Sequence, residues 1–193
     1  VADNPPDGNK IHIWLLEDHL DASKHNCHTE KYLSENEKIR KQQYLTSELG
    51  YRYQNRRALT RQVLSLYRPE IAEVDWQFET NKWGKPRICE SQCKGNLYFN
   101  LSHTNGMVVL AIAGTETLGV DIEDTLVDDP ASHLDIAERF FTPAETEQID
   151  DFPYDQRIQS FFDIWTLKES YIKARGQGLS LGLDSFQFLL NGN

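Results

Sequence analysis

Two acidic side chains, Asp121 and Glu123, are spaced so that both could bind one metal ion. They belong to residues 119–123 (GVDIE), whose alternating pattern predicts a β-strand, and residues two apart in a strand point to the same face. Neighbouring carboxylates repel unless a cation lies between them, and Mg²⁺ prefers such oxygen ligands. The alternative is a half-exposed strand with polar side chains turned to solvent, which is the commoner meaning of an isolated D-x-E.

A second group of reactive side chains lies on a predicted helix. Trp165, Glu169 and Lys173 are four residues apart, so they share one helical face. Glu169 could then complete the metal site, and Lys173 could contact a leaving phosphate. The alternative is a surface Glu–Lys pair, which stabilises a helix by about 0.2–0.5 kcal/mol.

Two turns add further candidates for binding an anion. Ser102, His103 and Thr104 end a predicted strand, where hydroxyl, imidazole and backbone N–H groups could hold a phosphate. Lys85 lies in the rigid turn 83–86 (WGKP) and could reach the same anion. The alternatives are an ordinary polar turn for the first group and a solvated hairpin lysine for the second.

The order and spacing of these four segments closely resemble the Sfp-type 4′-phosphopantetheinyl transferases. That family carries a G-K-P turn, an S-H pair, a G-[VI]-D-x-E strand and a W-x-x-K-E-[SA]-x-x-K helix. The corresponding segments here are WGKP (83–86), NLSH (100–103), GVDIE (119–123) and WTLKESYIK (165–173). The resemblance extends from about Lys38 to Leu190.

The resemblance implies an enzyme that transfers 4′-phosphopantetheine from coenzyme A to a serine of an apo acyl or peptidyl carrier protein and releases 3′,5′-ADP. It implies Mg²⁺ bound by Asp121, Glu123 and Glu169. Glu169 would accept the serine proton and Lys173 would assist the leaving group, with His103 as a third catalytic residue. The implied coenzyme A contacts are Arg40, Arg52, Lys85, Pro86, Ser102, His103, Thr104, Asp121, Glu169 and Lys173. Glu37 departs from the pattern, because another family member has lysine there.

The same resemblance implies an α+β fold. Two similar subdomains, each a small antiparallel sheet packed on a long helix, would be related by pseudo-twofold symmetry and would act as a monomer. The basic N-terminal subdomain (1–100) would contact the coenzyme A phosphates, and the C-terminal subdomain (101–193) would carry the Mg²⁺ site and the catalytic helix. Family members usually continue past the strand that matches 185–190, which indicates a truncated C-terminus.

Hydrophobic periodicity and capping residues predict the elements that position these side chains. Predicted strands cover 10–16, 74–80, 97–103, 107–114, 118–123 and 185–190. Predicted helices begin near 35 after a Ser34–Glu37 capping box, cover 51–68, begin at 143 after Thr142, and cover 156–175 up to Gly176.

Charge is unevenly distributed along the 193 residues, whose net charge is −10. Residues 1–100 hold 15 Lys/Arg and 14 Asp/Glu, whereas residues 101–193 hold 5 and 16. Within 38–68 there are eight basic residues and one acidic residue, a pattern that suits a polyanion held by arginines and a metal, or else a solvated helix face.

Composition predicts a cytoplasmic protein that binds neither membranes nor nucleic acid in general. No apolar run approaches the ~20 residues that span a bilayer, and three cysteines without metal-ligand spacing indicate free thiols. Two rival functions stay open from the residues alone. One is a Mg²⁺-dependent phosphodiesterase or nuclease, and the other is a non-catalytic module that binds coenzyme A or a carrier.

Overall fold

The computed structural model describes residues 6–7, 10–18, 27–92, 96–126 and 129–190. Its strands are β1 (Ile11–Asp18), β2 (Phe78–Thr80), β3 (Pro86–Ile88), β4 (Tyr98–Thr104) and β5 (Gly106–Ala113). Its α-helices are α1 (Glu35–Gln42), α2 (Ser47–Tyr67), α3 (Pro130–Phe140), α4 (Pro143–Asp151) and α5 (Tyr154–Arg175). Helices and antiparallel strands are therefore mixed, and the predicted α+β class is confirmed.

A three-stranded antiparallel sheet of order β1-β5-β4 forms the centre of the fold. The central strand, β5, is almost wholly apolar because both of its faces are covered. β1 alternates in exposure, as expected for an edge strand with one face on the core. The predicted strands 10–16, 97–103 and 107–114 are confirmed.

Helix α2 covers one face of this sheet. Its apolar residues Val63, Leu64 and Tyr67 pack with Leu110 and Ile112 of β5 in the main hydrophobic core. The helix begins at Ser47, four residues before the predicted start, because the Thr46 side chain accepts a hydrogen bond from the Leu49 N–H. The predicted Ser34–Glu37 capping box of α1 is confirmed.

A second core lies among α3, α4 and α5, around Phe141, Phe161 and Phe162. The capping box of α4 joins Thr142 and Glu145, and α5 ends at Gly176, whose φ of 64° is left-handed. Both predicted helices are confirmed. The interpretation of the sequence missed α3.

Two strand predictions are wrong, and a third is confirmed only in part. The strand predicted over 74–80 is reduced to β2, because residues 73–75 form a 3₁₀ turn that buries Trp76 in the core. Residues 118–123 and 185–190 form no strand. In each of these two segments, side chains of a neighbouring element bond the backbone N–H groups, so no strand ladder is needed.

Residues 118–124 run beside β4 and are held by its alternate side chains. Asn100 accepts a hydrogen bond from the Val120 N–H at 2.9 Å, and Thr104 accepts one from the Asp124 N–H at 3.0 Å. Asn100, Ser102 and Thr104 share one face of β4. The polar face of this strand therefore positions the segment that carries Asp121 and Glu123.

The predicted boundary at residue 100 falls within β4, and the sheet joins β1 from one side of that boundary to β5 from the other. Among the described residues, no paired strand follows β5. The pseudo-twofold symmetry and the two subdomains stay predictions. None of the described helices is both long and apolar enough to span a membrane.

Candidate functional site

Three polar side chains from three distant segments meet beside β4. The Lys173 ammonium lies 2.6 Å from Asp121 Oδ1 and 2.8 Å from Ser102 Oγ, and the Ser102 hydroxyl donates to the same carboxylate oxygen at 2.7 Å. The Asp121 side chain is only 4% exposed, whereas Lys173 is 27% exposed. Lys173 therefore remains accessible from outside while Asp121 holds it in place.

Two further carboxylates lie near this group. The Trp165 indole N–H donates to Glu123 Oε1 at 3.1 Å, which orients that carboxylate. Burial raises the pKa of Glu123, and the Asp121 charge adds to this rise. Burial likewise raises the pKa of Glu169, with Asp121 and Glu123 adding to it and Lys173 opposing it. The three predicted acidic residues are thus close enough for their charges to interact between two segments, residues 118–124 and α5.

The donor chemistry of these carboxylates suits a hard divalent cation. Asp121 Oδ2 is buried and has no hydrogen-bond partner, so one oxygen is available for a ligand. Over the described ranges, however, no three His, Cys, Asp or Glu side chains converge closely enough to hold a metal ion. The predicted Mg²⁺ site of Asp121, Glu123 and Glu169 would therefore need a different arrangement of these side chains, and it stays a prediction.

A trough of three adjoining cavities leads away from this group, and Pro86 lines all three. The first, of about 270 Å³, is lined by Glu169 and Lys173. The second, of about 200 Å³, shares Leu101 with the first and contains His103. The third, of about 600 Å³, opens beside the basic helices α1 and α2. A long ligand could therefore extend from Lys173 to those helices.

His103 points away from its neighbours in sequence. Ser102 and Thr104 bond to the 118–124 segment, whereas His103 lines the middle cavity with Tyr53 and Arg56. Burial lowers the pKa of His103, and Arg56 and Lys173 lower it further. The sequence analysis placed Ser102, His103 and Thr104 in one phosphate site. Because successive residues of a strand point to opposite faces, His103 lies on the other face of β4 from Ser102 and Thr104.

Arg40, Arg57 and Arg61 line the far end of the trough, whereas Arg52, also on α2, lines none of its three cavities. The Arg40 guanidinium lies over the Tyr53 ring in the third cavity. Arg52 Nη2 donates to Glu48 at 3.2 Å, and its Nε is buried without a partner. Arg56 was not predicted as a site residue, although it lies beside His103. Only the density of arginines in 38–68 pointed to it.

Glu37 is a structural residue in this protein. Its carboxylate pairs with Arg57 and, at 2.8 Å, with Arg61, and it caps α1 through the Ser34 N–H. Burial alone would raise the pKa of Glu37, but Arg57, the Ser34 N–H and Arg61 together lower it. The acidic residue at this position therefore joins α1 to α2 and neutralises part of their charge.

Lys85 bonds to backbone carbonyls. Its ammonium donates to the carbonyl oxygens of Glu116, Leu118 and Ala174 at 3.2, 3.0 and 3.1 Å. Burial lowers the pKa of Lys85, and Glu116 opposes this shift. The side chain also lines the first cavity. Binding a phosphate would require Lys85 to exchange at least one carbonyl, so the predicted coenzyme A contact stays a prediction.

Comparison with known proteins agrees with the resemblance of the motifs. The family model described as the 4′-phosphopantetheinyl transferase superfamily matches residues 117–193. The chain is 31% identical over 175 residues to the 4′-phosphopantetheinyl transferase HetI of Nostoc sp., covering 89% of this chain and 71% of that protein.

Two other relatives align over shorter stretches. The 4′-phosphopantetheinyl transferase Sfp of Bacillus subtilis is 37% identical over 122 residues, which cover 63% of this chain and 51% of Sfp. The human L-aminoadipate-semialdehyde dehydrogenase-phosphopantetheinyl transferase is 34% identical over 114 residues, or 56% of this chain and 37% of that protein. The chain therefore spans 71% of HetI, about half of Sfp and 37% of the human enzyme. Because HetI is 31% identical over most of both chains, this chain belongs to the 4′-phosphopantetheinyl transferase family.

Proposed function

We propose that this protein transfers the 4′-phosphopantetheine group of coenzyme A to a serine hydroxyl of an apo acyl or peptidyl carrier protein and releases 3′,5′-ADP. One observation carries the proposal. The group formed by Asp121, Ser102 and Lys173 opens into a trough whose far end is lined by arginines. That arrangement suits a long, polyanionic cofactor with its reacting phosphate at Lys173.

The charges along the trough support this placement of coenzyme A. Its 3′-phosphate and adenosine would lie near Arg40, Arg52 and His103, with Arg56 as an additional basic residue. Its diphosphate would lie near Lys173, with Lys85 and Pro86 along the walls. Ser102 and Thr104 would have to exchange their bonds to residues 121 and 124 before they could contact a phosphate. Basic groups in a partly enclosed cleft attract an anion and orient it. This explains how a protein of net charge −10 could bind coenzyme A.

Two residues of α5 would carry the proton transfers. The serine oxygen attacks the phosphorus joined to pantetheine, and the bond from that phosphorus to the oxygen of the departing 3′,5′-ADP breaks. Glu169 would accept the serine proton on its carboxylate, since a carboxylate with a raised pKa is a better base. Lys173 would stabilise or protonate the departing phosphate oxygen. His103 would hold a phosphate during this step.

Mg²⁺ is the cofactor that fits the remaining donors. Asp121, Glu123 and Glu169 would hold it, with the unpartnered Asp121 Oδ2 as the first available ligand. The ion would neutralise charge on the diphosphate and reduce repulsion among the three carboxylates. The proposal also includes a monomeric state, which sedimentation would test, and a cytoplasmic location, which cell fractionation would test. Within the monomer, the two subdomains would be related by pseudo-twofold symmetry.

A single assay tests the proposed activity and both rival functions. The protein is incubated with coenzyme A, Mg²⁺ and a panel of apo carrier proteins, and the products are analysed by mass spectrometry. We expect the carrier to gain phosphopantetheine as 3′,5′-ADP is released, and a carrier with its serine replaced by alanine to gain nothing. Coenzyme A binding without turnover on any carrier would favour a binding module. Hydrolysis of nucleic acid without carrier modification would favour a phosphodiesterase.

A further inference from the structure

The side chain next to the proposed base is buried on a different side of α5. Lys168 precedes Glu169, and consecutive residues of a helix point about 100° apart. Whereas Glu169 lines the trough, the Lys168 ammonium lies 2.8 Å from Glu145 Oε2, and both side chains are fully buried. No role in substrate binding requires Lys168.

This ion pair also binds the C-terminal segment, residues 183–190. The Lys168 ammonium donates to the carbonyl oxygens of Leu183 and Phe186 at 2.6 and 2.7 Å. Glu145 Oε1 accepts the Phe188 N–H at 2.8 Å. All three donors of Lys168 are thereby used, and both carboxylate oxygens of Glu145 are occupied.

The same glutamate begins helix α4. Glu145 Oε2 accepts hydrogen bonds from the Thr142 N–H and hydroxyl, each at 2.9 Å. One buried pair therefore joins the start of α4, the middle of α5 and the C-terminal segment. The pair fixes α5 from two sides one residue before Glu169, so it restrains rotation of the helix at the point from which the proposed base projects.

We propose that Lys168, together with Glu145, is a positioning residue that sets the rotation of α5 and so directs Glu169 and Lys173 into the trough. This inference rests on the proposed function. A rotation of α5 by about 10° would move a side-chain atom ~6 Å from the helix axis by about 1 Å. Displacement of a reacting group by that distance costs on the order of 10²-fold in rate.

The test uses a variant that removes both charges and keeps the capping acceptor, Lys168→Met with Glu145→Gln. Replacing both members of a buried pair is better tolerated than removing one. We expect kcat to fall about 10²-fold and the affinity for coenzyme A to fall much less, because the proposed contacts to its 3′-phosphate lie on other elements, Arg40 on α1 and His103 on β4. Lys168→Arg, which keeps the charge, should recover part of the rate.

The matched control is Arg157→Met. Arg157 pairs with Asp150 at 2.7 Å and also joins α5 to α4, but at the surface and away from the C-terminal segment. We expect wild-type kcat from this variant. All rates are measured well below each melting temperature, so that loss of folded protein does not lower them.

A folded Lys168→Met/Glu145→Gln variant with wild-type kcat would overturn the inference. If that variant does not fold, Lys168→Arg decides, because its displaced guanidinium should lower kcat about tenfold without changing coenzyme A affinity. Amide hydrogen exchange is measured in parallel, and faster exchange is expected over 183–190 and in α5. If wild type transfers nothing, the proposed function fails, while unchanged exchange in those segments would separately overturn the positioning role.

Discussion

Replacing Lys173 by methionine tests the centre of the proposed site. The substitution keeps most of the side-chain length and removes the charge that lies 2.6 Å from Asp121 Oδ1. Deleting one member of a buried ion pair costs about 3–5 kcal/mol. Lys173 is partly exposed and Ser102 still donates to Asp121, so we expect a loss of about 2–3 kcal/mol. For a chain of this size, the melting temperature should fall by about 4–12 °C.

Magnesium should reverse much of this loss. If Asp121, Glu123 and Glu169 bind Mg²⁺, the ion supplies the positive charge that the variant lacks. A ligand at 100 times its dissociation constant stabilises the folded state by about 2.7 kcal/mol. Calorimetry with and without Mg²⁺ should therefore show a larger rise in melting temperature for Lys173→Met than for wild type. A second substitution, Asp121→Asn, should abolish that response.

The rate of transfer separates chemistry from stability. Single-turnover transfer by Lys173→Met at saturating Mg²⁺ should be about 10²–10⁴-fold slower if Lys173 assists the leaving group. A lower melting temperature with wild-type turnover would show that Lys173 only pairs with Asp121. An unchanged melting temperature with and without Mg²⁺ would refute the reasoning about both the pair and the metal.

Five other substitutions, in four experiments, test separate parts of the protein. Glu169→Gln keeps the size of the side chain but removes the proposed base, so single-turnover transfer should be severely slowed; normal transfer would contradict that role. Arg40→Ala and His103→Ala should each weaken coenzyme A binding more than carrier binding. Added salt should weaken coenzyme A binding further, because exposed charges are screened. If wild type and both variants bound coenzyme A and its 3′-dephospho form equally well, these contacts would be ruled out. Lys85→Met leaves three backbone carbonyls without the ammonium that donates to them, so the melting temperature should fall even without coenzyme A. A lower affinity for coenzyme A with an unchanged melting temperature would instead indicate that Lys85 acts only as a phosphate contact. Burial opposes the shift, but Arg57, the Ser34 N–H and Arg61 lower the pKa of Glu37 below its ordinary value, so its stabilisation is present above the ordinary pKa and disappears as pH falls through the lowered pKa. Urea unfolding should show the stability gap between wild type and Glu37→Gln closing in acid, and a constant gap would contradict this assignment.

Much of the local structure follows from short stretches of sequence. The capping box of α1, the start of α4 after Thr142, the glycine that ends α5, and the alternation of β1 were predicted correctly because each depends on residues within a few positions of one another. The order and spacing of four short motifs indicated the family, which the comparisons confirm.

The strand predictions at 118–123 and 185–190 were wrong for a shared physical reason. A strand requires a partner backbone, and the identity of that partner is not encoded in the strand itself. Here side chains of β4 bond residues 120–124, and Glu145 and Gln148 of α4 bond the C-terminal segment. Alternation in a sequence shows which side chains share a face, but it does not show what lies across from the backbone.

Local sequence patterns predicted four of the five described α-helices, the three central strands, the uneven charge and the residue types of the site. How these residues pair depends on the tertiary structure. Lys173 meets Asp121 across 52 positions of sequence, Lys85 donates to carbonyls of two distant segments, and Lys168 is buried against Glu145. Each pairing depends on burial, because an ammonium removed from water must replace its hydration with protein oxygens. Which oxygens are near enough is set by the packing of the sheet and helices around it.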